Sequence, residues 1–454
     1  MSTDPSSASP DVCETPSSPA AACCGGAEGG AGCALAAFKR SSGPRPTVTV
    51  AEETTFPAPP SVAEETTFPA PPSPAPAVPA QPDPPAPVPA GSPSAGPAAS
   101  GLVPAGPGSA APGGRVQWLV AESVWWGGRL RTGVALRVAP NGLVKPVPAE
   151  LAPGGEDTRR FAGTLLPGLV DAHVHSALVD LGTVRAGGIA EVWDLGGVPA
   201  RVAELAEQAR EAGSALPRVR YAGPFLIAPG GYPSDRAWAP AGSWREIVTV
   251  ADAGAAVAEA SAAGATLIKV TAHAGGPQLE LPVLSAVVAA AHASELPVVV
   301  HAEGPGTVAA ACSAGADVLA HTPWTERIDD SLLQACAQRM RWISTLDIHG
   351  WGRPDDPDRE VAVDNLRRFI GAGGTVRYGT DLGNGPLPAG INVREIRLLQ
   401  SAGLTPDGVL TAMTESGSST VSWLPGGLDP DPERFADALA TARVLDADSR
   451  LHSS

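Results

Sequence analysis

Lysine is almost missing from this chain. Only Lys39, Lys145 and Lys269 are lysines among 31 basic residues. Arginine carries nearly all the positive charge, so a lysine inside an apolar segment invites a reason. Positive charge is itself scarce. The 31 Lys+Arg stand against 47 Asp+Glu, a formal net charge of −16, which argues against a nucleic-acid or anionic-membrane surface. No run of 18 uncharged apolar residues occurs, so no membrane-spanning helix is predicted. The opening "MSTDPSSASPD" lacks the basic start and apolar core of a secretory signal. The expectation from these absences is a soluble, cytoplasmic protein without nucleic-acid or membrane partners. A homo-oligomer stays open.

Cysteine is thin and uneven. Cys13, Cys23, Cys24 and Cys33 crowd the first 33 residues, and only Cys312 and Cys336 follow later. The early four are irregularly spaced among Gly, Ala and Ser, which reads as free thiols rather than a disulfide framework. The later two lie in Ala-rich helical patterns and read as buried thiols. Aromatics are few in residues 1–112, a stretch of Pro, Ala, Ser and Gly with a tandem twelve-residue repeat, "VAEETTFPAPPS", at 50–61 and 62–73. Such a composition buries too little apolar surface to offset chain entropy, so a disordered tail is expected.

Beyond the tail the texture changes. Residues 113–164 read as short antiparallel strands broken at Gly, Asn and Pro. From 165 to 422 apolar runs alternate with Ala-rich amphipathic segments. The runs are "LLPGLVDAHVH", "GIAEVWDL", "RVRYAGPFLI", "ATLIKVTA", "LPVVVHAE", "ADVLAHT", "RWISTLDI" and "GTVRYGTDL". Eight strands with intervening helices fit an α/β fold, a (β/α)8 TIM barrel. Residues 423–454, with the strand-like "FADALATARVLDADS", are expected to return to the early strands.

Chemistry in such a barrel gathers at the C-terminal ends of the strands. The first run ends in His173 and His175, two apart and so on one face, with Asp171 on the same side. Two neighbouring imidazoles suit a divalent metal, zinc above all; the competing reading is two histidines that meet by chance. Later strand ends carry His301, His321 and Asp381, and His273 and His349 follow two more. A metal centre explains the set better than separate structural histidines do. Lys269 lies between Ile268 and Val270. Burial lowers the pKa of an amine, and a neutral amine can take up carbon dioxide as a metal-bridging carbamate. A lysine neutralised by a carboxylate is the other reading.

These segments resemble the metal-dependent amidohydrolase superfamily over about residues 115–450. "PGLVDAHVH" is similar to its first-strand signature, "VVVHAEG", "VLAHT" and "YGTD" to its later ligand strands, and "AGLTPDGVLTAMTES" to its C-terminal helix. "ATLIKVTAHAGG" and "APGGYPSDRAW" resemble the branch of prolidase-like dipeptidases and imidazolonepropionase-like enzymes. The resemblance implies a two-metal site, usually zinc, with His173, His175 and Asp381 on one ion, His301 and His321 on the other, and carbamylated Lys269 between them. It also implies a small β-sandwich formed by the segments flanking the barrel.

The expected activity is metal-dependent hydrolysis of an amide C–N bond, most simply in a dipeptide or short peptide. Asp381 would move the proton, with Lys269 as bridging ligand. Tyr232, Arg236, His273 and the amides around Gly275 and Gly276 would meet the substrate, since Arg can grip a carboxylate bidentately and successive glycine amides form an anion nest. Alternatives are a one-metal cyclic-amide hydrolase or heterocycle deaminase, a peptide-tailoring enzyme of natural-product synthesis, or a barrel that only binds.

Overall fold

The computed structural model describes residues 115–211, 213–415 and 417–445. The Pro-rich stretch of 1–112, its repeat and its cysteines lie outside the described residues, as does His452. The described chain begins with β1 (Gln117–Trp125), β2 (Leu130–Arg131), β3 (Val134–Val138), β4 (Val144–Pro148) and β5 (Thr158–Pro167). Then β6 (Val170–Val174), α1 (Leu181–Ala186), β7 (Glu191–Asp194), α2 (Pro199–Gln208), β8 (Arg218–Tyr221) and β9 (Phe225–Ile227) follow. Next come β10 (Trp244–Glu246), α3 (Val250–Ala262), β11 (Ile268–His273), α4 (Leu281–Ala293), β12 (Val298–Glu303) and α5 (Thr307–Ala314). β13 (Val318–Leu319), α6 (Asp330–Arg339), β14 (Arg341–Ile343), α7 (Pro357–Gly371) and β15 (Thr375–Arg377) continue the alternation. The chain closes with α8 (Val393–Ser401), α9 (Pro406–Ala412), β16 (Val421–Leu424), α10 (Pro432–Leu439) and β17 (Arg443–Leu445).

The architecture is mixed α/β with parallel sheets. One holds β6-β7-β8, the other β10-β9-β11-β12-β13-β14-β15. Every residue of β11 is buried, as are the first five of β12; helices cover one side of these strands, which is why they read as unbroken apolar runs. Two sets of hydrogen bonds join the sheets. At one edge Thr266 N–H donates to the Tyr221 carbonyl at 2.9 Å. At the other edge Ala172 N–H donates to Tyr378 at 3.0 Å and His175 N–H to Leu382 at 2.8 Å. The expected single strand "RVRYAGPFLI" is split into β8 and β9. Gly223 between them has φ +76°, and Pro224 lacks an N–H to pair.

Seven strands, β17-β16-β5-β1-β3-β4 with β2 on β1, form one further sheet. β1 and β5 run parallel there, the other pairs antiparallel. "FADALATARVL" is helix before it is strand. Asp431 accepts from Glu433 N–H at the start of α10, Pro432 opens it, and Phe435, Ala436 and Leu439 are buried at helical spacing. Strand is left only to Arg443–Leu445, paired with β16, a strand the apolar pattern had not separated.

The core divides accordingly. Val170, Ala172, Trp193, Leu195, Ala222, Leu267, Val299, Val318, Ala320 and Ile343 pack in one cluster, contributed by the parallel strands and the residues at their ends. A larger cluster packs helices on the strands, and a third backs the seven-stranded sheet. Cys312 and Cys336 are buried free thiols, as the Ala-rich patterns implied. Among the described residues no helix is long and apolar enough to cross a membrane.

Candidate metal centre

A register shift in β6 creates the centre. Its pairing with β7 slips between Asp171 and Val174, a β-bulge that re-aims side chains. Val174 packs in the helix-facing core, and His173 and His175 converge on Asp381. Their Nε2 atoms lie 3.1 and 3.2 Å from its Oδ1. Asp171 is not part of this group. Its carboxylate accepts from Thr380 Oγ1 at 2.6 Å, from Thr380 N–H at 3.0 Å and from His173 N–H at 3.1 Å. It thereby ties β6 to the segment that carries Asp381. Burial pushes its pKa up to about 7.

The tautomers are set from behind. His173 Nδ1 lies 2.8 Å from the Ala320 carbonyl and His175 Nδ1 3.1 Å from the Gly196 carbonyl. A carbonyl only accepts, so each Nδ1 carries the hydrogen, and a neutral ring turns its Nε2 lone pair toward Asp381. His321 is held by Thr345 Oγ1, 2.9 Å from its Nδ1. Its ring is 4.6 Å from that of His173. Ligand atoms of His173, His321 and Asp381 all lie within 4.8 Å of one another.

This donor set fits a divalent metal. Asp381 Oδ1 is buried without a hydrogen-bond partner, while Nε2 of His173 and of His175 face it at 3.1 and 3.2 Å. Acceptors converging without a proton repel one another unless a cation lies between them. Burial raises the Asp381 pKa, but the imidazoles of His173, His175 and His321 outweigh this and keep it well below the usual range. Burial holds His173 and His321 neutral, the form in which imidazole binds metal. Asp381 is also one of few non-glycine residues at positive φ, +59°, a strained conformation of the kind that gathers at functional sites.

The remaining predicted residues surround this group. Lys269 is only 1 % exposed, and burial brings its pKa down to about 7 against the pull of Asp381 and Asp194. Its charge is felt by His173, His175, His301 and His321 alike. His301 lies beside the group rather than in it. Its ring is 5.0 Å from that of His321, but its Nε2 is 3.0 Å from Glu303 Oε2. The same oxygen is 3.3 Å from His273 Nδ1. Tyr232 stacks on His301 at 5.0 Å and is tilted against His273 at 5.4 Å. Arg236 lies 5.5 Å over the Tyr232 ring, and its Nε is 3.4 Å from Asp235. Gly275 is packed over His273, where a Cβ would come within 2.6 Å of the ring. Gly276 donates its N–H to the His273 carbonyl at 3.2 Å.

Glu303, Asp194 and Thr345 are absent from the sequence-derived set. Glu303 follows His301 by two, the spacing that drew attention to His173 and His175. Burial raises its pKa, but hydrogen bonds to His273 and His301 more than reverse this and hold it below the usual range. Asp194 accepts from Ser176 N–H at 2.8 Å and Gly196 N–H at 3.1 Å, steadying the carbonyl that holds His175. Thr345 has φ +43°, a turn geometry with no apolar pattern to announce it.

No protein-family model and no curated protein sequence matches the chain. Solved structures do. A Xaa-Pro dipeptidase with methionine in its active site aligns at TM-score 0.60 and 17 % identity, covering 73 % of this chain and 98 % of that one. The A. niger ochratoxinase aligns at TM-score 0.60 and 18 % identity, covering 73 % and 94 %. Molinate hydrolase aligns at 0.57 and 15 %, again covering 73 % and 94 %. The chain shares the fold of these solved enzymes.

Proposed function

We propose that this chain is a metal-dependent hydrolase of amide C–N bonds, acting on a dipeptide or short peptide, and that its two parallel sheets close as a (β/α)8 barrel around the centre. The observation that carries the reading is the convergence of His173, His175 and His321 on the donor-less Asp381 Oδ1. These residues would hold a divalent ion, zinc by its nitrogen and oxygen donors. Such an ion acidifies water and polarises a carbonyl when bound. Asp381, kept ionised by the surrounding imidazoles, takes the proton of the attacking water and delivers it to the leaving nitrogen. Lys269 with its pKa near 7 is partly neutral at physiological pH. Its amine would bond to the carbon of carbon dioxide and lose a proton, giving an anionic carbamate that, with His301, would complete a second metal position.

Arg236 accepts the substrate carboxylate in this reading, above Tyr232 and beside the Gly275–Gly276 loop, so that the preceding carbonyl lies at the centre. The neighbours named as dipeptidase, ochratoxinase and molinate hydrolase support hydrolysis on this fold in general.

One observation favours a second reading. His301 Nε2 engages Glu303, and the compact ligand group lacks His301. A one-metal site opening a cyclic amide or deaminating a heterocycle would use the same fold with Lys269 unmodified. The test is metal content by elemental analysis with turnover of dipeptides, their C-terminal amides and cyclic imides. Two ions per chain and a loss on the order of 2–5 kcal/mol on blocking the carboxylate support peptide hydrolysis. One ion and turnover of cyclic compounds alone support the second reading, and full activity after chelation rejects both.

A further inference from the structure

Strands β11 and β12 pair in parallel register, with Thr271 opposite His301 and His273 opposite Glu303. Side chains two apart on a strand share a face, and neighbouring strands lie about 4.8 Å apart. His301, Glu303 and His273 therefore project together from two adjacent strands, and their contacts follow from that placement. Glu303 Oε2 lies 3.0 Å from His301 Nε2 and 3.3 Å from His273 Nδ1. The two imidazoles are at most 10 % exposed and the carboxylate 15 %. Tyr232 covers both imidazoles, 5.0 Å from the His301 ring and 5.4 Å from the His273 ring. Two imidazoles and one carboxylate are a donor set that holds zinc in catalytic sites and leaves a further position for water or substrate. Two ring nitrogens drawn to a single carboxylate oxygen make an arrangement that a divalent ion can enter by displacing the ring hydrogens, with release of protons.

We propose that His301, Glu303 and His273 hold a second divalent transition-metal ion, apart from the group of His173, His321 and Asp381 and whether or not Lys269 is carbamylated. This rests on the metal-dependent hydrolase reading and names ligands for its second ion.

The test uses the full chain, freed of metal and reloaded with zinc. Metal content is measured by elemental analysis, and anomalous scattering at the zinc edge locates the ions in crystals. Two ions per chain are expected, one of them bonded to His301, Glu303 and His273. Glu303→Gln and His273→Asn should each weaken one ion at least about 100-fold in competition with a chelator, since residues that only orient a ligand already cost about 10–100-fold. The other ion should bind as in the parent, and Lys269→Ala should keep both. One ion per chain, or a second ion bonded elsewhere, overturns the proposal. So does a second ion that survives both Glu303→Gln and His273→Asn, or one that is lost in Lys269→Ala. Amide turnover is measured alongside. Turnover with a single ion overturns the proposal and keeps the hydrolase reading, whereas two ions in these places with no amide hydrolysed do the opposite. The diffraction result decides even where a variant does not fold.

Discussion

Two groups of charged residues lie buried against the parallel strands, and they are built on opposite rules. At the strand starts, Glu191 opens β7, and Glu415 follows Met413, whose carbonyl accepts from Val170 at the beginning of β6. Glu415 receives Arg220 at 3.0 Å and Arg377 at 2.9 Å. The two guanidiniums lie 4.7 and 5.7 Å from the Trp193 ring, whose Nε1 donates to Glu191 at 3.2 Å. Every charge there has an opposite charge. At the strand ends, the neutral imidazoles of His173 and His321 and an ionised Asp381 turn acceptors toward one another. The first group balances its charges among its own residues, whereas the second leaves Asp381 Oδ1 buried without a hydrogen-bond partner. Buried polar groups with partners specify a fold, whereas convergent ones without them mark a function.

The comparison breaks most visibly under substitution of His173. His173→Ala should lower turnover by roughly three orders of magnitude and reduce bound metal, with the melting temperature of the metal-free protein nearly unchanged. Glu415→Ala should do the reverse. It leaves Arg377 without its carboxylate and Arg220 with Glu191 alone, 3.9 Å away, a loss of about 3–5 kcal/mol read by denaturant unfolding, while the molecules still folded keep wild-type kcat/KM. A Glu415→Ala variant that is stable but inactive would show the two groups to be one device.

Thr345→Val probes the support of the centre. It removes the oxygen 2.9 Å from His321 Nδ1 at nearly constant volume. Loss of such a ligand-orienting bond costs about 10–100-fold in metal affinity or activity. Competition against a chelator of known affinity measures it, and unchanged affinity would remove Thr345 from the site.

How much of this could be read from residue order depends on the kind of interaction. The eight apolar runs coincide with β6, β7, β8 with β9, β11, β12, β13, β14 and β15, because a strand covered on both faces needs no context to look apolar. His173, His175, His321 and Asp381 were legible as strand-end residues, and the structure brings them together. The bulge in β6 was not legible, since it is a property of pairing with β7. Nor was the engagement of His301 by Glu303, which decides whether a second ion has its ligands and depends on side-chain direction alone. The setting of Trp193 was not legible either, since Arg220 and Arg377, which lie against its ring, come from segments far apart in sequence.

The smallest effect concerns a carboxyl beneath the centre. Glu395, on α8 and fully buried, accepts from Leu346 N–H at 3.0 Å and Asp347 N–H at 2.7 Å, next to the turn that holds Thr345. Burial raises its pKa from 4.5 to about 8, against the effect of these hydrogen bonds. A raised pKa means that the folded chain retains a proton the unfolded chain has given up. The stabilisation is therefore full below pH 4.5 and is lost as pH rises through about 8. Over that window this one group makes stability fall with rising pH, by at most about 1.4 kcal/mol per pH unit. Glu395→Gln cannot ionise and keeps a carbonyl oxygen for one of the two amides. The difference in unfolding free energy between the parent and the Gln variant should shift steadily in the variant's favour from pH 5 to pH 8. A difference that stays flat over that range would mean that Glu395 is ionised in the folded protein and that its two amide hydrogen bonds outweigh burial.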